Sequence, residues 1–433
     1  MLPPCRSGLP LAALVLPLRL LAQSPEPTSV VFFHPDGMGA NTWAVVRTAT
    51  LGPDGRLNWD RFPHAAVYLG HMKDALAATS HGGATVHAYG VKVAASSYGM
   101  DGTEPVTSRS GKPMSLLMEA KAAGRAVGIV NSGTITEPGT GAFVASVVER
   151  YDHDAIVRQI LDAAPDVILG GGERYFLPDG TAGRHGPGSR QDGVDMLARA
   201  RAMGYTVVYT RDELLALPDT VTRVLGLFAR VHTFNDRPEE ALRERGLPLY
   251  AATAPTIGEM TAAALRVVER RAAGFMLVVE EEGTDNFANA NNARGTIEAG
   301  RRADETIGLL LDYVAAHPRT LAILTSDSDA GGMQLLGTAS GDYVRPDTPL
   351  PPVDDNGAPI DGRDGSGSLP FLAPPDRAGR SWPFAVAWST YHDATGGILL
   401  RAAGHGADRV RGTMDNTDVY RVMYYALFGV DLP

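Results

Sequence analysis

Residues 30–39 read VVFFHPDGMG, an apolar run that ends in an acidic, glycine-flanked turn, and this stretch decides the fold. Consecutive β-branched and aromatic residues of this kind are typical of a strand buried on both faces, as in parallel sheets. Four similar runs lie at residues 126–130, 167–169, 275–279 and 321–325. Helical patterns lie between them, for example at residues 114–123, 257–273 and 295–316. Because strands and helices alternate, we predict an α/β fold with a doubly wound, mostly parallel sheet sandwiched by helices.

Polar and acidic residues follow four of these predicted strands. Asp36 follows the first strand, Asn131 the second, Glu280 and Asp285 the fourth, and Asp327 the fifth. Doubly wound sheets bind their ligands at the carboxyl ends of the strands. Because grouped oxygen ligands hold divalent cations, the pattern predicts a metal site. The alternative is a set of solvated loop tips.

Ser80 is a candidate nucleophile, because it begins a helix of small residues that continues to Tyr89. The backbone N–H groups and the dipole at a helix start favour an anion. A serine hydroxyl needs a base or a metal before it reacts well. Taken alone, Ser80 is better explained as a helix cap.

The charge of the chain limits the classes of ligand. The net charge is −10 over 433 residues, and no run of Lys or Arg could track a phosphate backbone. We therefore expect no dedicated nucleic-acid partner. A site for small phosphate compounds would need local positive charge, which metal ions can supply.

The first 22 residues resemble an export signal. Arg6 precedes a largely apolar stretch at residues 9–21, which is followed by a polar, proline-rich stretch from Gln23. The apolar stretch is too short and too interrupted to span a membrane. We expect an exported protein, periplasmic or extracellular, with a mature domain of residues 23–433. Its single cysteine, Cys5, would be removed with the signal, so no disulfide is expected.

Residues 331–383 interrupt the alternating pattern. This stretch is dense in Gly, Pro, Asp and Ser and has no sustained periodicity. We interpret it as a surface insertion, either a crown or lid over the site or a plain flexible insertion.

Several motifs, taken in order and spacing, resemble those of the alkaline phosphatase family over about residues 30–429. The motifs are Asp36-Gly37-Met38-Gly39, the Ser80 helix with Gly90-Val91-Lys92, residues 166–176 (DVILGGGERYF), the acidic pair Glu280 and Asp285, Thr325-Ser326-Asp327, and the glycine-rich blocks 395–397 and 404–406. The resemblance implies an alkaline-phosphatase-like sandwich of helices around a sheet.

The resemblance also implies metal ligands. Asp36 would bridge two metals, and Glu280 with Thr140 would complete a magnesium site. The alignment near Thr140 is loose by one residue, so Glu137 competes with it. Asp327 would hold the metal that activates the nucleophile.

Three further roles follow from the same resemblance. Ser80 would be the nucleophile and would also contact a metal. Asp285 would hold the metal that stabilises the leaving oxygen. Arg150 would form a bidentate contact with two phosphate oxygens, although an ordinary helix-end charge also explains it.

The chain departs from the family at the metal-binding histidines. Asn289, Ser328 and Ala394 stand at three such positions, and Thr79 stands where an acid usually precedes the nucleophile. Oxygen ligands in place of histidine shift the metal preference of a site from zinc towards magnesium, calcium or manganese. We therefore expect magnesium and zinc, with calcium or manganese as replacements for zinc.

Other histidines could supply the absent nitrogens. His34, His81 and His392 lie beside matched motifs, and His34 would face the same side of a strand as Asp36. Each is also explained as a structural histidine. Among the candidate metal ligands we include His392 and the oxygen donor Asn289.

The sequence therefore predicts a metal-dependent phosphomonoester hydrolase that forms a phosphoserine on Ser80 and acts on small-molecule phosphate esters. The first alternative is a phosphodiesterase or sulfatase-like hydrolase on the same scaffold. The second is a pseudoenzyme that binds phosphate or metal without turnover, for which the absent histidines argue. The oligomeric state stays open, with a homodimer as one option.

Overall fold

The structure is a computed structural model that describes residue 1 and residues 28–271, 273–337 and 344–433. Apart from residue 1, the predicted signal peptide lies outside the described residues, and so does Cys5. No helix in the described ranges is both long enough and apolar enough to cross a membrane.

The strands fall into one large sheet and three small ones. They are β1 (Ser29–Pro35), β2 (His64–Leu69), β3 (Met100–Asp101), β4 (Glu104–Pro105), β5 (Ala126–Thr134), β6 (Val167–Gly171), β7 (Thr206–Val208), β8 (Val224–Leu227), β9 (Phe275–Glu281), β10 (Thr320–Leu324), β11 (Asp329–Ala330), β12 (Gln334–Leu336), β13 (Ile360–Gly362), β14 (Gly365–Ser366), β15 (Phe371–Leu372), β16 (Pro383–Ala387), β17 (Asp393–Ala394), β18 (Leu399–Gly404) and β19 (Arg411–Asp415). The large sheet has ten strands in the order β19-β2-β18-β10-β1-β9-β5-β6-β8-β7. Within it β18 runs antiparallel to both neighbours, and the other neighbouring strands pair in parallel.

Helices cover both faces of this sheet. They are α1 (Ala40–Leu51), α2 (Ser80–Tyr89), α3 (Leu116–Ala122), α4 (Pro138–Gly141), α5 (His153–Ala163), α6 (Met196–Ala202), α7 (Arg211–Leu215), α8 (Glu239–Arg245), α9 (Ile257–Val268), α10 (Gly283–Asn289), α11 (Ala293–Ala316) and α12 (Thr417–Phe428). Alternate residues of β1 belong to opposite cores, because side chains alternate along a strand. Phe32 packs with residues of α2, α3 and α12, whereas Phe33 packs with residues of α1, α9 and α11.

The predicted α/β architecture is confirmed. Each of the five predicted strands is present, and β1, β9, β5 and β10 form the centre of the sheet. The three predicted helices correspond to α3, α9 and α11. The apolar runs were informative because these strands are covered on both faces.

The segment 331–383 is not structureless where it is described. Its strands β12, β13, β14 and β15 form a small antiparallel sheet with β16. The interpretation of this segment as a crown or lid stays a prediction. Beside it, β11 pairs with β17, with Ala330 opposite Asp393, so the chain just before residue 395 lies close to the end of β10.

Candidate metal and phosphate site

The candidate site lies at the carboxyl end of the central strands. His34 points to the same face of β1 as Phe32, which packs in one cluster with Ala84 of α2. His34 pairs in register with Glu280 of β9, and Glu280 pairs with Asn131 of β5. Three neighbouring strands thus place an imidazole, a carboxylate and an amide in one row.

Two aspartates complete the centre of this row. Asp36 begins the turn after β1, and Asp327 lies three residues beyond the end of β10. The Nε2 atom of His34 lies 3.3 Å from Asp36 Oδ1 and 3.8 Å from Asp327 Oδ1. Gly37 has a φ of +67°, and a Cβ there would clash with Ala330 and Asp285. The turn can therefore approach the other acids only because residue 37 is glycine.

Many polar atoms of this centre are buried without a hydrogen-bond partner among the residues that the structure describes. They are His34 Nε2, both carboxylate oxygens of Asp36 and of Asp327, Glu280 Oε1 and Glu282 Oε2. Each such atom costs about 1–3 kcal/mol if nothing binds it. Carboxylate oxygens and an imidazole nitrogen are the donor types that bind divalent cations. This donor set therefore fits metal ions.

Glu280 is connected to Thr140 through Asn131. The Asn131 side-chain amide donates to Glu280 and also to the Thr140 hydroxyl, 3.1 Å away. The Glu137 carboxylate instead accepts from Arg150, at 3.0 Å. The structure therefore links Thr140 to Glu280 through Asn131, while Glu137 pairs with Arg150 and its charge still raises the pKa values of Glu280 and Glu282.

A second group of acids lies around Asp285. Ligand atoms of Asp36, Glu282 and Asp285 all lie within 4.8 Å of one another. Asn289 Nδ2 donates to both carboxylate oxygens of Asp285 at 3.1 Å and to Asp393 Oδ1 at 3.0 Å. Sequence reasoning missed Glu282 and Asp393 as members of this group.

Alternation along the chain is the signal that could have identified Glu282. Glu280, Glu281 and Glu282 are consecutive, and alternate side chains of extended backbone share a face. Glu281 points elsewhere, since its Oε1 accepts from Ser132 at 2.7 Å and from Tyr250 at 3.3 Å. Asp393 gave no such signal, because its position depends on the pairing of β11 with β17.

The acids of the centre are strongly perturbed. Burial, and then repulsion from Asp36, raises the pKa of Glu280 to about 8. Burial followed by neighbouring carboxylates also raises the pKa values of Glu282, Asp285 and Asp327 well above the usual range. The pKa of Asp36 is lowered: burial would raise it, but the nearby charge of His34 outweighs burial, with smaller contributions from Asp327 and Ser80. Cations would relieve this repulsion.

Ser80 begins α2 beside this centre and is almost fully buried. Thr79 is the N-cap residue, and its hydroxyl accepts from Gly82 N at 3.3 Å. A Cβ at Gly83 would clash with the side chain of Asp327, so the first turn of α2 lies directly against that acid. The cap role predicted as an alternative for Ser80 belongs to Thr79.

Arg150 is held on two sides near the same acids. Its Nη2 contacts Glu137, and its Nη1 lies 3.3 Å from His81 Nδ1. Burial alone would lower the pKa of Arg150, but Glu137, Glu282 and other nearby groups raise it. The pKa of His81 is lowered to about 4 by burial and then by Arg150, so His81 is neutral and can accept this hydrogen bond.

The three candidate histidines lie in different places. His34 lies within the acid cluster, His81 contacts Arg150, and the His392 side chain is exposed to solvent. The structure does not bring His392 to the other candidate ligands. Its neighbour Asp393 contacts Asn289 instead.

Comparisons with known proteins find similar sequences and similar folds. A family profile described as alkaline phosphatase matches residues 28–346. Tissue-nonspecific alkaline phosphatase of Gallus gallus is 30% identical over 69% of this chain and 63% of that enzyme, which is less than two thirds of its length. Streptomycin-6-phosphate phosphatase of Streptomyces griseus is 27% identical over 93% of this chain and 91% of that protein.

Solved structures show the same fold. The alkaline phosphatase of Thermus thermophilus has a TM-score of 0.71 and 24% identity, covering 93% of this chain and 92% of that one. The alkaline phosphatase of the Antarctic bacterium TAB5 has a TM-score of 0.69 and 20% identity, covering 93% of this chain and 98% of that one.

Proposed function

The chain belongs to the alkaline phosphatase family, and from that premise we propose that it hydrolyses phosphate monoesters through a phosphoserine on Ser80. One observation carries the proposal: a helix that begins with a serine lies against buried aspartates whose oxygens have no hydrogen-bond partner among the described residues. The substrates would be small-molecule phosphate esters.

Ser80 would perform the covalent chemistry. Its Oγ forms a bond to phosphorus as the bond from phosphorus to the alcohol oxygen breaks, and the alcohol leaves with a proton. Water then attacks the phosphoserine, which releases inorganic phosphate and restores the serine hydroxyl. The N-terminal N–H groups of α2 favour the negative charge that the phosphoryl group brings to this position.

Arg150 would bind the phosphoryl group. A guanidinium can donate two parallel hydrogen bonds to two phosphate oxygens. Glu137 and His81 orient it through its two terminal nitrogens, so little side-chain freedom is left to lose on binding.

Three groups of residues fit divalent cations. Asp36 and Asp327 would hold one ion beside Ser80, Asp285 with Glu282 a second, and Glu280 with Thr140 and Asp36 a magnesium ion. Asn289, predicted as an oxygen ligand, would instead orient Asp285 through its amide nitrogen. Bound ions would supply the positive charge that the attacking and leaving oxygens require during in-line displacement. We propose magnesium and zinc, with calcium or manganese able to replace zinc.

A comparison of three substrates tests the reaction class. The purified protein should hydrolyse nitrophenyl phosphate much faster than bis(nitrophenyl) phosphate or nitrophenyl sulfate. Mass spectrometry after acid quenching should detect phosphate on Ser80. Faster cleavage of the diester or the sulfate would support the related hydrolases. No turnover in any metal would support a pseudoenzyme.

We also propose that the protein is exported and that its mature form begins near Gln23. The support is the sequence pattern of the first 22 residues. Mass spectrometry of the exported fraction checks this, and an intact Met1 there would contradict it. Analytical ultracentrifugation of the same sample tests the homodimer.

A further inference from the structure

His34 is the one histidine among the three candidates that enters the acid cluster, and its ring orientation is defined. Its Nδ1 lies 3.0 Å from the backbone carbonyl oxygen of Thr325. A carbonyl oxygen only accepts, so Nδ1 carries the hydrogen and donates it. Without a metal, burial would lower the pKa of His34, but Asp36 and Glu280 raise it and favour a proton on Nε2. A bound cation would take the place of that proton, because the deprotonated Nε2 presents a lone pair.

The Nε2 atom of His34 points to the acids. Nε2 is buried, has no hydrogen-bond partner in the described part of the chain, and lies near Asp36 and Asp327 at the distances given above. Ligand atoms of His34, Asp36 and Glu280 all lie within 4.8 Å of one another. A ring whose far nitrogen donates to a backbone carbonyl while the near nitrogen faces acids has the arrangement of a metal-ligating histidine.

The other half of the centre offers different metal-ligand atoms. Asp36, Glu282 and Asp285 form a second group in which each ligand atom is a carboxylate oxygen. Asp393 adds another carboxylate, whereas Asn289 turns its amide nitrogen to these acids and its Oδ1 accepts from Gly331 N at 3.2 Å. Imidazole nitrogen suits zinc, whereas sets of carboxylate oxygens suit magnesium, calcium and manganese.

We propose that His34 Nε2 is a metal ligand that makes its half of the centre selective for zinc, while the Glu282–Asp285 half takes a hard cation. The inference rests on the proposed function only in that it concerns the same centre. It places a nitrogen ligand on β1, two residues before Asp36, although Asn289, Ser328 and Ala394 occupy the histidine positions of the family.

Metal binding, measured apart from turnover, tests the inference. Metal-free protein is titrated with zinc in excess magnesium by calorimetry, and crystals grown with both ions are measured at the zinc absorption edge. Wild type should bind zinc between His34, Asp36 and Asp327. His34→Gln should weaken zinc binding by about 10–100-fold, the scale of a disturbed metal shell. Glu282→Gln should leave zinc affinity nearly unchanged and weaken binding of the hard cation beside Asp285.

His87→Gln is the matched control. His87 is also fully buried, and its ring lies 5.6 Å from that of His34. Its Nε2, however, lies 2.7 Å from the Tyr68 hydroxyl rather than facing the acids. Loss of a buried histidine at position 87 should therefore leave zinc binding intact.

The outcomes separate the two proposals. Unchanged zinc affinity in folded His34→Gln would overturn the inference and leave His34 as an ion-pair partner of Asp36. Zinc density only beside Asp285 would overturn it as well. If zinc binds at His34 but the protein shows no phosphatase turnover, the proposed function fails and the ligand assignment stands.

Discussion

The two ends of the central sheet differ in whether their buried polar groups have hydrogen-bond partners among the described residues. At the amino end, the Asp166 carboxylate accepts from Val127 N at 3.0 Å and from Arg271 at 3.1 Å. Arg125 donates to the backbone carbonyls of Thr28 and Ala273. At the carboxyl end, His34 and the surrounding acids retain buried atoms with no hydrogen-bond partner in the ranges that the structure describes.

The contrast distinguishes polar groups that stabilise the fold from groups arranged to bind something else. Satisfied networks make a structure more rigid, whereas unsatisfied buried groups are costly and mark functional sites. Substitutions at the carboxyl end should therefore change chemistry and metal binding. Substitutions at the amino end should change stability.

The largest expected effect is that of Ser80→Ala. Loss of the attacking oxygen should lower kcat by about 10³-fold or more, because Arg150 and the metals can still direct water but no phosphoserine forms. Melting temperature should change little. Steady-state kinetics and calorimetry measure both quantities, and turnover near that of wild type would contradict the covalent mechanism.

The second prediction distinguishes two neighbouring residues at the carboxyl end, Asp393 and His392. Asp393→Ala should reduce activity and metal affinity about 10–100-fold, because Asp393 contacts Asn289 beside Asp285. His392→Ala should stay within about two-fold of wild type, because that side chain is exposed. A large loss from His392→Ala with an unaffected Asp393→Ala would instead support the original sequence prediction for His392.

The third effect is the pH dependence of the metal-free protein. Burial raises the pKa of Glu280 to about 8 and that of Glu281 to about 7. Between about pH 4.5 and these values, the folded state holds protons that the unfolded state has released. Stability should therefore fall as pH rises through this window, by up to about 1.4 kcal/mol per pH unit for each carboxylate.

Calorimetry at pH 5.5 and pH 8 measures this slope. Glu280→Gln should reduce it, because the amide does not titrate. Added divalent metal should remove or reverse it, because cations bind the deprotonated acids. A metal-free protein whose melting temperature is the same at both pH values would contradict the assignment.

The smallest effect is expected at the amino end. Asp166→Asn keeps one acceptor for Val127 N but loses its ion pair, so it should destabilise the fold by about 1–2 kcal/mol. Arg271→Gln, in which the carboxylate remains, should cost about 0–1 kcal/mol because Arg271 is mostly exposed. Both variants should retain wild-type kcat. Urea unfolding and kinetics check this. An altered kcat would show that the amino end of the sheet also affects the chemistry.

Much of the candidate site followed from the sequence because it lies at strand ends. Asp36, Glu280 and Asp327 each follow an apolar strand, and the parallel order of β1, β9 and β10 brings them to one edge. His34 was recognised as a candidate for the same reason, since its spacing from Asp36 is a strand repeat.

The remaining assignments depend on contacts between distant segments. Thr140 and Glu137 lie three residues apart, and only the hydrogen bonds show that Asn131 links Thr140 to Glu280 whereas Glu137 pairs with Arg150. Asp393 reaches Asn289 because β17 pairs with β11, a contact that carries no local sequence pattern.

The sequence by itself determined the alternation of strands and helices, the acids at the strand ends and the serine at the start of α2, because each is a local consequence of hydrophobic period and chain direction. The tertiary structure alone decided which atoms are buried without partners and which histidine faces the acids. Those properties depend on packing between β1, β9, β10 and α2, whose residues are far apart in the chain.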